Sequence, residues 1–468
     1  MRRSRIGIYR PAATLCLLVL FAAGCVRYHP KPITAAQTVE DFEARRLDSA
    51  DITKQLGSLP GIGTWPPPSW DLRAFTLAAI YYSPDLDVAR AQWGTAQAGR
   101  ITAGERPNPA ASILVGYNST SPVSEVTPWI PEAALEIPIE TAGKRGYRIA
   151  EAQHLTESAR LNILSVAWDV RSRLRQAFLD LFSARETEKL QNAQLSYQAE
   201  SLKILEAQWA AGEASFYDVV QARIAHDGTK LAALDAAERS ARALIALAGA
   251  VGVPTRALDG LTFSFDGLLD VRADLPSGEI RRRALLNRAD ILGALAQYEA
   301  AQSALRLEVA KQYPDISLGP AWQLDQTDNK WTLGLSLILP LLSRNKGPIA
   351  EAEARRQESA SQFLALQAKV IEQIDAAVAG CRSTLEKTKT ADALLTNLKK
   401  QEAAAKTRYE LGEISKFELL GIQLELAASS LARLEALVRA QQAVGELENA
   451  IQSPLDLKDW ILASPRIK

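Results

Sequence analysis

The sequence is short of almost every residue type that builds a chemical centre. Methionine occurs once, at position 1, and 468 residues hold only three histidines and three cysteines. So few exclude a disulfide framework and a Cys/His metal cluster. Aromatic residues make up 6% of the chain, too few for a sandwich or barrel throughout, and the abundant Ala and Leu favour helix. Neither charge sign is in excess, with 54 basic side chains against 54 acidic ones. No broad field therefore draws nucleic acid. HExxH, GxGxxG, the P-loop, CxxC and GxSxG are all missing, which leaves no recognisable enzyme chemistry. Beyond the N-terminus there is no run of 18 apolar residues, so no helix is expected to span a membrane.

What is present starts at the N-terminus. Arg2, Arg3, Arg5 and Arg10 form a positive region, Pro11 to Ala23 an apolar one, and Ala22-Ala23-Gly24 puts small residues before Cys25. This is a signal peptide whose apolar run is too short to span a bilayer. The arrangement resembles a bacterial lipoprotein processing site, which implies cleavage before Cys25 and a covalent lipid on it. Ala22 stands where that motif usually has Leu, and an ordinary signal peptide is the alternative. Val26 lacks the aspartate that in such lipoproteins often signals retention at the inner membrane. His29 lies beside this site, while His154, His226 and Cys381 sit in helical runs. No other cofactor is expected.

The rest of the chain occurs twice. Ile149-Ala150-Glu151-Ala152 recurs as Ile349-Ala350-Glu351-Ala352, and Gly212-Glu213-Ala214-Ser215 as Gly412-Glu413-Ile414-Ser415. The division is a signal peptide at 1–24, an N-terminal segment with a Pro-rich linker at 25–70, and repeats at 71–270 and 271–468. Each repeat opens with a helix of about 25 residues, started by Ser83-Pro84 in the first and by Asn287 with Asp290 in the second. Two strands follow. Leu135, Ile137 and Ile139 alternate with Ala134, Glu136 and Pro138, and Trp331 to Leu339 alternate likewise, with partner strands at 111–118 and 315–324. Residues 149–211 contain neither Gly nor Pro, which permits a helix of over 60 residues, roughly 90–100 Å long. Gly212 and Gly412 then end a helix, and Ser215 with Asp218, and Ser415 with Glu418, form capping boxes that start the next. Tyr217 and Phe417 decorate the two hairpin tips.

Two strands per repeat give four, which cannot close into a membrane barrel alone. A small sheet packed on the helices of one chain is the alternative. Three copies would supply twelve strands with cyclic symmetry, with Glu132, Glu136, Thr332 and Ser336 facing a polar lumen. The lipoprotein signal, the duplication, the strand pairs, the long helices and the Gly-x-x-Ser-x-x-acid hairpins together resemble the TolC-like outer-membrane efflux channels. The resemblance covers about residues 70 to 465. It implies a mainly α protein with a small β part, forming a homotrimer with a 12-stranded outer-membrane barrel above a periplasmic α-helical tunnel. It implies a periplasmic adaptor protein and an inner-membrane efflux transporter as partners, besides outer-membrane lipid. By position it assigns gate roles to Asp218, Tyr409 and Glu418, while Ile414 stands where a gating arginine is expected, so a different contact must hold the tips. Glu136-Ile137-Pro138-Ile139 with Gly143-Lys144-Arg145-Gly146 resembles the strand-to-helix junction of the CzcC-like heavy-metal branch; a basic turn that caps a helix end near the membrane is the alternative. The competing reading of the same features is a lipid-anchored periplasmic coiled-coil adaptor.

Overall fold

The computed structural model describes residues 27–57, 64–119, 127–271 and 278–455. The signal peptide and Cys25 lie outside the described residues. The chain forms two compact units, 1–45 and 46–468. In the first, α1 (Ala35–Glu43) is capped by Thr34, whose hydroxyl accepts from the Gln37 N–H.

The second unit begins with α2 (Ala50–Gly57), α3 (Leu72–Tyr82) and α4 (Pro84–Gly104), then β1 (Ala110–Tyr117) and β2 (Trp129–Ile139). Two helices follow, α5 (Lys144–Ala210, 67 residues) and α6 (Phe216–Val251, 36 residues). After a short α7 (Asp266–Leu269), the order returns: α8 (Gly278–Asn287), α9 (Ala289–Ala310), β3 (Ile316–Asp325), β4 (Asp328–Leu337), α10 (Lys346–Glu410, 65 residues) and α11 (Lys416–Ile451, 36 residues). Helices α5 and α10 each run about 100 Å at 1.5 Å per residue. The expected opening helices are 21 and 22 residues long. Ser83 and Pro84 open α4 as the sequence predicts. In the second repeat Asn287 instead ends α8, and the cap of α9 is Arg288. Its guanidinium grips Asp290 at 2.7 Å and so fixes the bend between the two helices.

The core sits halfway along the long helices. Phe75, Leu174, Phe178, Leu179 and Leu181 are fully buried where α3 crosses α5. Each such side chain contributes about 1.5–3 kcal/mol by leaving water. Trp65 and Trp70 close this cluster edge to face, 5.2 Å apart, so the end of the Pro-rich stretch is anchored in the core. A second cluster joins Val370, Ile374 and Cys381 of α10 to Val444 and Leu447 of α11. Burial raises the Cys381 thiol to about 11, so it stays protonated and unreactive at neutral pH.

The strands form one antiparallel sheet in the order β1-β2-β3-β4. Its register decides its character. Trp331 pairs with Trp322, Trp322 with Ala133, and Ala133 with Ile113; Leu335 pairs with Leu318, and Leu318 with Ile137. Paired residues share a face, so one face of the sheet is apolar on all four strands. The opposite face carries Glu132, Glu136, Ser317, Gln323, Thr332 and Ser336. The edge strands β1 and β4 are exposed along their whole length. Among the described residues no helix is long and apolar enough to cross a membrane.

Candidate functional site

Both hairpin tips are built the same way. At the end of α5, Gly212 takes φ +80°, its N–H donates to the Trp209 carbonyl at 2.9 Å, and the Glu213 N–H donates to Gln208 O at 2.8 Å. At the end of α10, Gly412 takes φ +76° and the equivalent bonds reach Tyr409 O and Arg408 O, both at 2.9 Å. This double closure needs a left-handed residue, which glycine supplies without a Cβ penalty. Both capping boxes are formed. Ser215 Oγ accepts from the Asp218 N–H at 3.1 Å, and Ser415 Oγ from the Glu418 N–H at 3.2 Å, while each acid accepts from its serine's backbone N–H.

Those bonds set the charge at the tips. The Ser415 N–H and hydroxyl, with Arg408 nearby, hold the Glu418 carboxyl below its usual range. A depressed carboxyl contributes stability that is fully present above its unfolded value and lost as pH falls through the folded one. Glu418 therefore remains ionised, and its cap formed, into more acidic solution than an ordinary glutamate allows. Asp218 is likewise committed to Ser215. Tyr217, Phe417 and Tyr409 are exposed.

The structure adds contacts that single residues in the sequence did not announce. Trp209 lies against Phe216 with ring centroids 5.8 Å apart. Two hundred residues on, Tyr409 lies under the Lys416 ammonium at 5.6 Å. The same pairing across each hairpin is aromatic–aromatic in one repeat and cation–aromatic in the other. Lys416 also reaches Glu200 Oε1 of α5 at 3.4 Å, tying the second hairpin to the first. Arg408 pairs with Glu413 at 3.2 Å and Arg223 with Glu206 at 2.6 Å. The 200-residue offset was the available signal: Trp209 aligns with Tyr409 and Phe216 with Lys416, and a position that changes from ring to cation marks a contact that differs between the hairpins.

The basic turn at Gly143–Gly146 is a clasp. Lys144 is buried, and its Nζ donates to Tyr313 O and to Asp315 Oδ1, both at 2.7 Å. Arg145 Nε donates to Gly104 O, the last residue of α4, at 2.7 Å, and Arg148 pairs with Glu140. Arg145 thereby closes the C-terminal end of α4, where the helix dipole favours a cation, while Lys144 pins the turn that leads from α9 into β3. Burial opposes ionisation of Asp315, but hydrogen bonds from Lys144 and Thr141 outweigh it and hold the carboxyl low. Among the described residues no group of three or more His, Cys, Asp or Glu is placed to hold a metal ion.

A four-stranded sheet with one apolar face, carried on helical hairpins of this length, defines a mainly helical, duplicated chain with a small β part. The chain belongs to the outer membrane efflux protein family, whose model matches residues 78–253 and 280–452. It is 25% identical over 375 residues to the cobalt-zinc-cadmium resistance protein CzcC of Cupriavidus metallidurans, covering 78% of this chain and 86% of that one. It is 24% identical over 418 residues to the pyoverdine export outer membrane protein OpmQ of Pseudomonas aeruginosa, covering 80% and 85%. The crystal structure of the outer membrane protein VceC of Vibrio cholerae has the same fold, with a TM-score of 0.65 at 20% identity over 82% of this chain and 97% of that one. Members of the family are outer-membrane efflux channels and not enzymes, and the adaptor reading falls with that membership.

Proposed function

We propose that this chain is one third of a passive outer-membrane exit duct. Three copies close twelve strands into a barrel, and their long helices form a periplasmic tunnel fed by an adaptor protein and an inner-membrane efflux transporter. The observation that carries this is the sheet: one face apolar on all four strands, with both edges unpaired among the described residues. Unpaired edges are not tolerated in lipid. A ten-residue strand such as β4, at about 3.3 Å per residue and tilted about 40°, projects to roughly 25 Å, the height of an outer-membrane apolar band. A lipid on Cys25 adds a second anchor.

The hairpin tips are the entrance. Gly212, Ser215, Gly412 and Ser415 shape them, Tyr217 and Phe417 narrow the mouth, and Asp218 and Glu418 place negative charge at it. Three symmetry copies of Glu418 favour cations over anions. CzcC and OpmQ, named for cobalt-zinc-cadmium resistance and pyoverdine export, make metal cations and larger solutes the candidate cargo. The test is conductance of the purified chain in planar bilayers. The wild type should form cation-selective pores, and Glu418→Ala should lower the cation-to-anion permeability ratio several-fold. Absence of pores, or unchanged selectivity, would overturn the respective claims.

Lys416 takes over the role of the arginine missing at Ile414. Its exposed ion pair with Glu200 and its contact with the Tyr409 ring are each worth about 0.5–1 kcal/mol. Lys416→Ala is expected to raise open probability roughly five- to thirty-fold, and Glu200→Gln, which removes only the ion pair, by less. Equal effects of the two would mean that the ring contact contributes nothing.

A further inference from the structure

The two strand-to-helix junctions differ in a way that the proposed duct does not use. In the first repeat the basic side chains Lys144, Arg145 and Arg148 are all engaged inside the chain. In the second repeat, β4 runs directly into Ile338-Leu339-Pro340-Leu341-Leu342, followed by Arg344 and Lys346. Ile338 and Leu339 are exposed, Leu341 is 71% exposed and Leu342 is 101% exposed. A tight turn, with the Leu341 N–H donating to Leu339 O at 2.8 Å, fixes how the two leucines stand out. Neither Arg344 nor Lys346 has a side-chain hydrogen bond or ion pair among the described residues.

The backbone holds this loop in a costly shape. Arg344 and Asn345 both take left-handed conformations, φ +47° and +54°, which glycine would adopt without penalty. Asn345 stabilises its own by donating from Nδ2 to Glu308 O at 2.7 Å. Among the described residues Arg344 has no such compensating bond, and it follows Leu342 by two positions.

We propose that residues 338–346 are a phospholipid contact: Leu341 and Leu342 dip into the inner leaflet of the outer membrane, and Arg344 and Lys346 take headgroup phosphates. This rests on the barrel reading above. Three observations choose lipid as the occupant. The loop continues the strand whose outward residues Leu333, Leu335 and Leu337 belong to the apolar face. Its apolar tip is followed within four residues by cations, the order in which a chain leaves hydrocarbon for the phosphate layer. Finally, the equivalent turn of the first repeat engages its cations inside the chain, whereas among the described residues Arg344 and Lys346 have no such partner and are available to an external anion.

The buried, unreactive Cys381 allows a clean test. The full chain carrying Leu342→Cys or Leu335→Cys is spin-labelled and reconstituted in vesicles of phosphatidylethanolamine and phosphatidylglycerol, with the parent chain labelled in parallel to correct for Cys25. Accessibility to oxygen and to a water-soluble nickel chelate is then compared. Both labels should favour oxygen, and Arg344→Glu with Lys346→Glu should move the Leu342→Cys label toward the nickel reagent while leaving Leu335→Cys unchanged. A Leu342→Cys label open to nickel, or shielded from both reagents by a second copy of the chain, overturns the proposal while Leu335→Cys remains in lipid. If Leu335→Cys is open to nickel as well, the barrel reading itself fails.

Discussion

Glu448→Ala is expected to destabilise the protein by about 3–5 kcal/mol, far more than any change at the exposed tips. Glu448 is buried in α11, and its Oε2 accepts from Arg171 Nη1 of α5 at 2.9 Å, with Arg175 Nε at 3.6 Å. Its Oε1 accepts from the Leu455 N–H at 3.0 Å. Arg175 also donates to Gln441 O at 2.6 Å, and Gln441 passes the link on to Leu268 O at 3.0 Å. Removing the carboxylate leaves two guanidinium groups buried with no counter-charge, and an uncompensated buried ion costs about this much. Thermal and denaturant unfolding in detergent would measure it. Replacing Arg171, Arg175 and Glu448 together with apolar residues of similar volume should recover most of the loss, because desolvation of all three then disappears. An unchanged midpoint for Glu448→Ala would show that the cluster carries no such load. Gly445 belongs to the same joint: a Cβ there would lie 2.4 Å from Arg175 Nη1, so the backbone of α11 approaches the guanidinium closely only because no side chain intervenes. The cluster ties the first hairpin to the second halfway along α5, well away from the tips.

What the sequence revealed and what it hid follow from the range of the interactions. The long helices, the glycine closures and both capping boxes depend on residues within five positions of each other, and all were legible. The strands were legible because alternation is local, and pairing Glu132 and Glu136 with Thr332 and Ser336 on one face followed from parity. Arg171 and Glu448 stand 277 positions apart, and each reads in its own helix as one more solvated charge. The short helices α3 and α8 were missed as well. The apolar residues of α8 are buried by α10 and α11, whereas α3 did carry a local signal, the Asp71 cap and the apolar run after it, within a stretch that reads as the end of a Pro-rich linker. Asn287 failed as a cap because the residue after it, Arg288, has a tertiary partner in the Ala450 carbonyl, and that contact decided where one helix stopped and the next began.

Leu333→Arg and Thr332→Arg should have opposite fates although the residues are neighbours. Leu333 pairs with Pro320 on the apolar face and Thr332 with Ala321 on the polar one, both near the middle of β4. If the apolar face meets hydrocarbon, an arginine at 333 costs about 2–4 kcal/mol near the bilayer midplane, and three copies triple that cost in a closed barrel. Detergent-resistant oligomer in outer-membrane fractions should then fall sharply for Leu333→Arg. Thr332→Arg should assemble to wild-type levels and shift ion selectivity toward anions, since its charge joins the lumen that Glu132 and Glu136 also face. Equal assembly of both variants would mean that neither face touches lipid, and that the sheet packs against protein instead. The contrast is sharp because adjacent strand residues share everything except the direction they point.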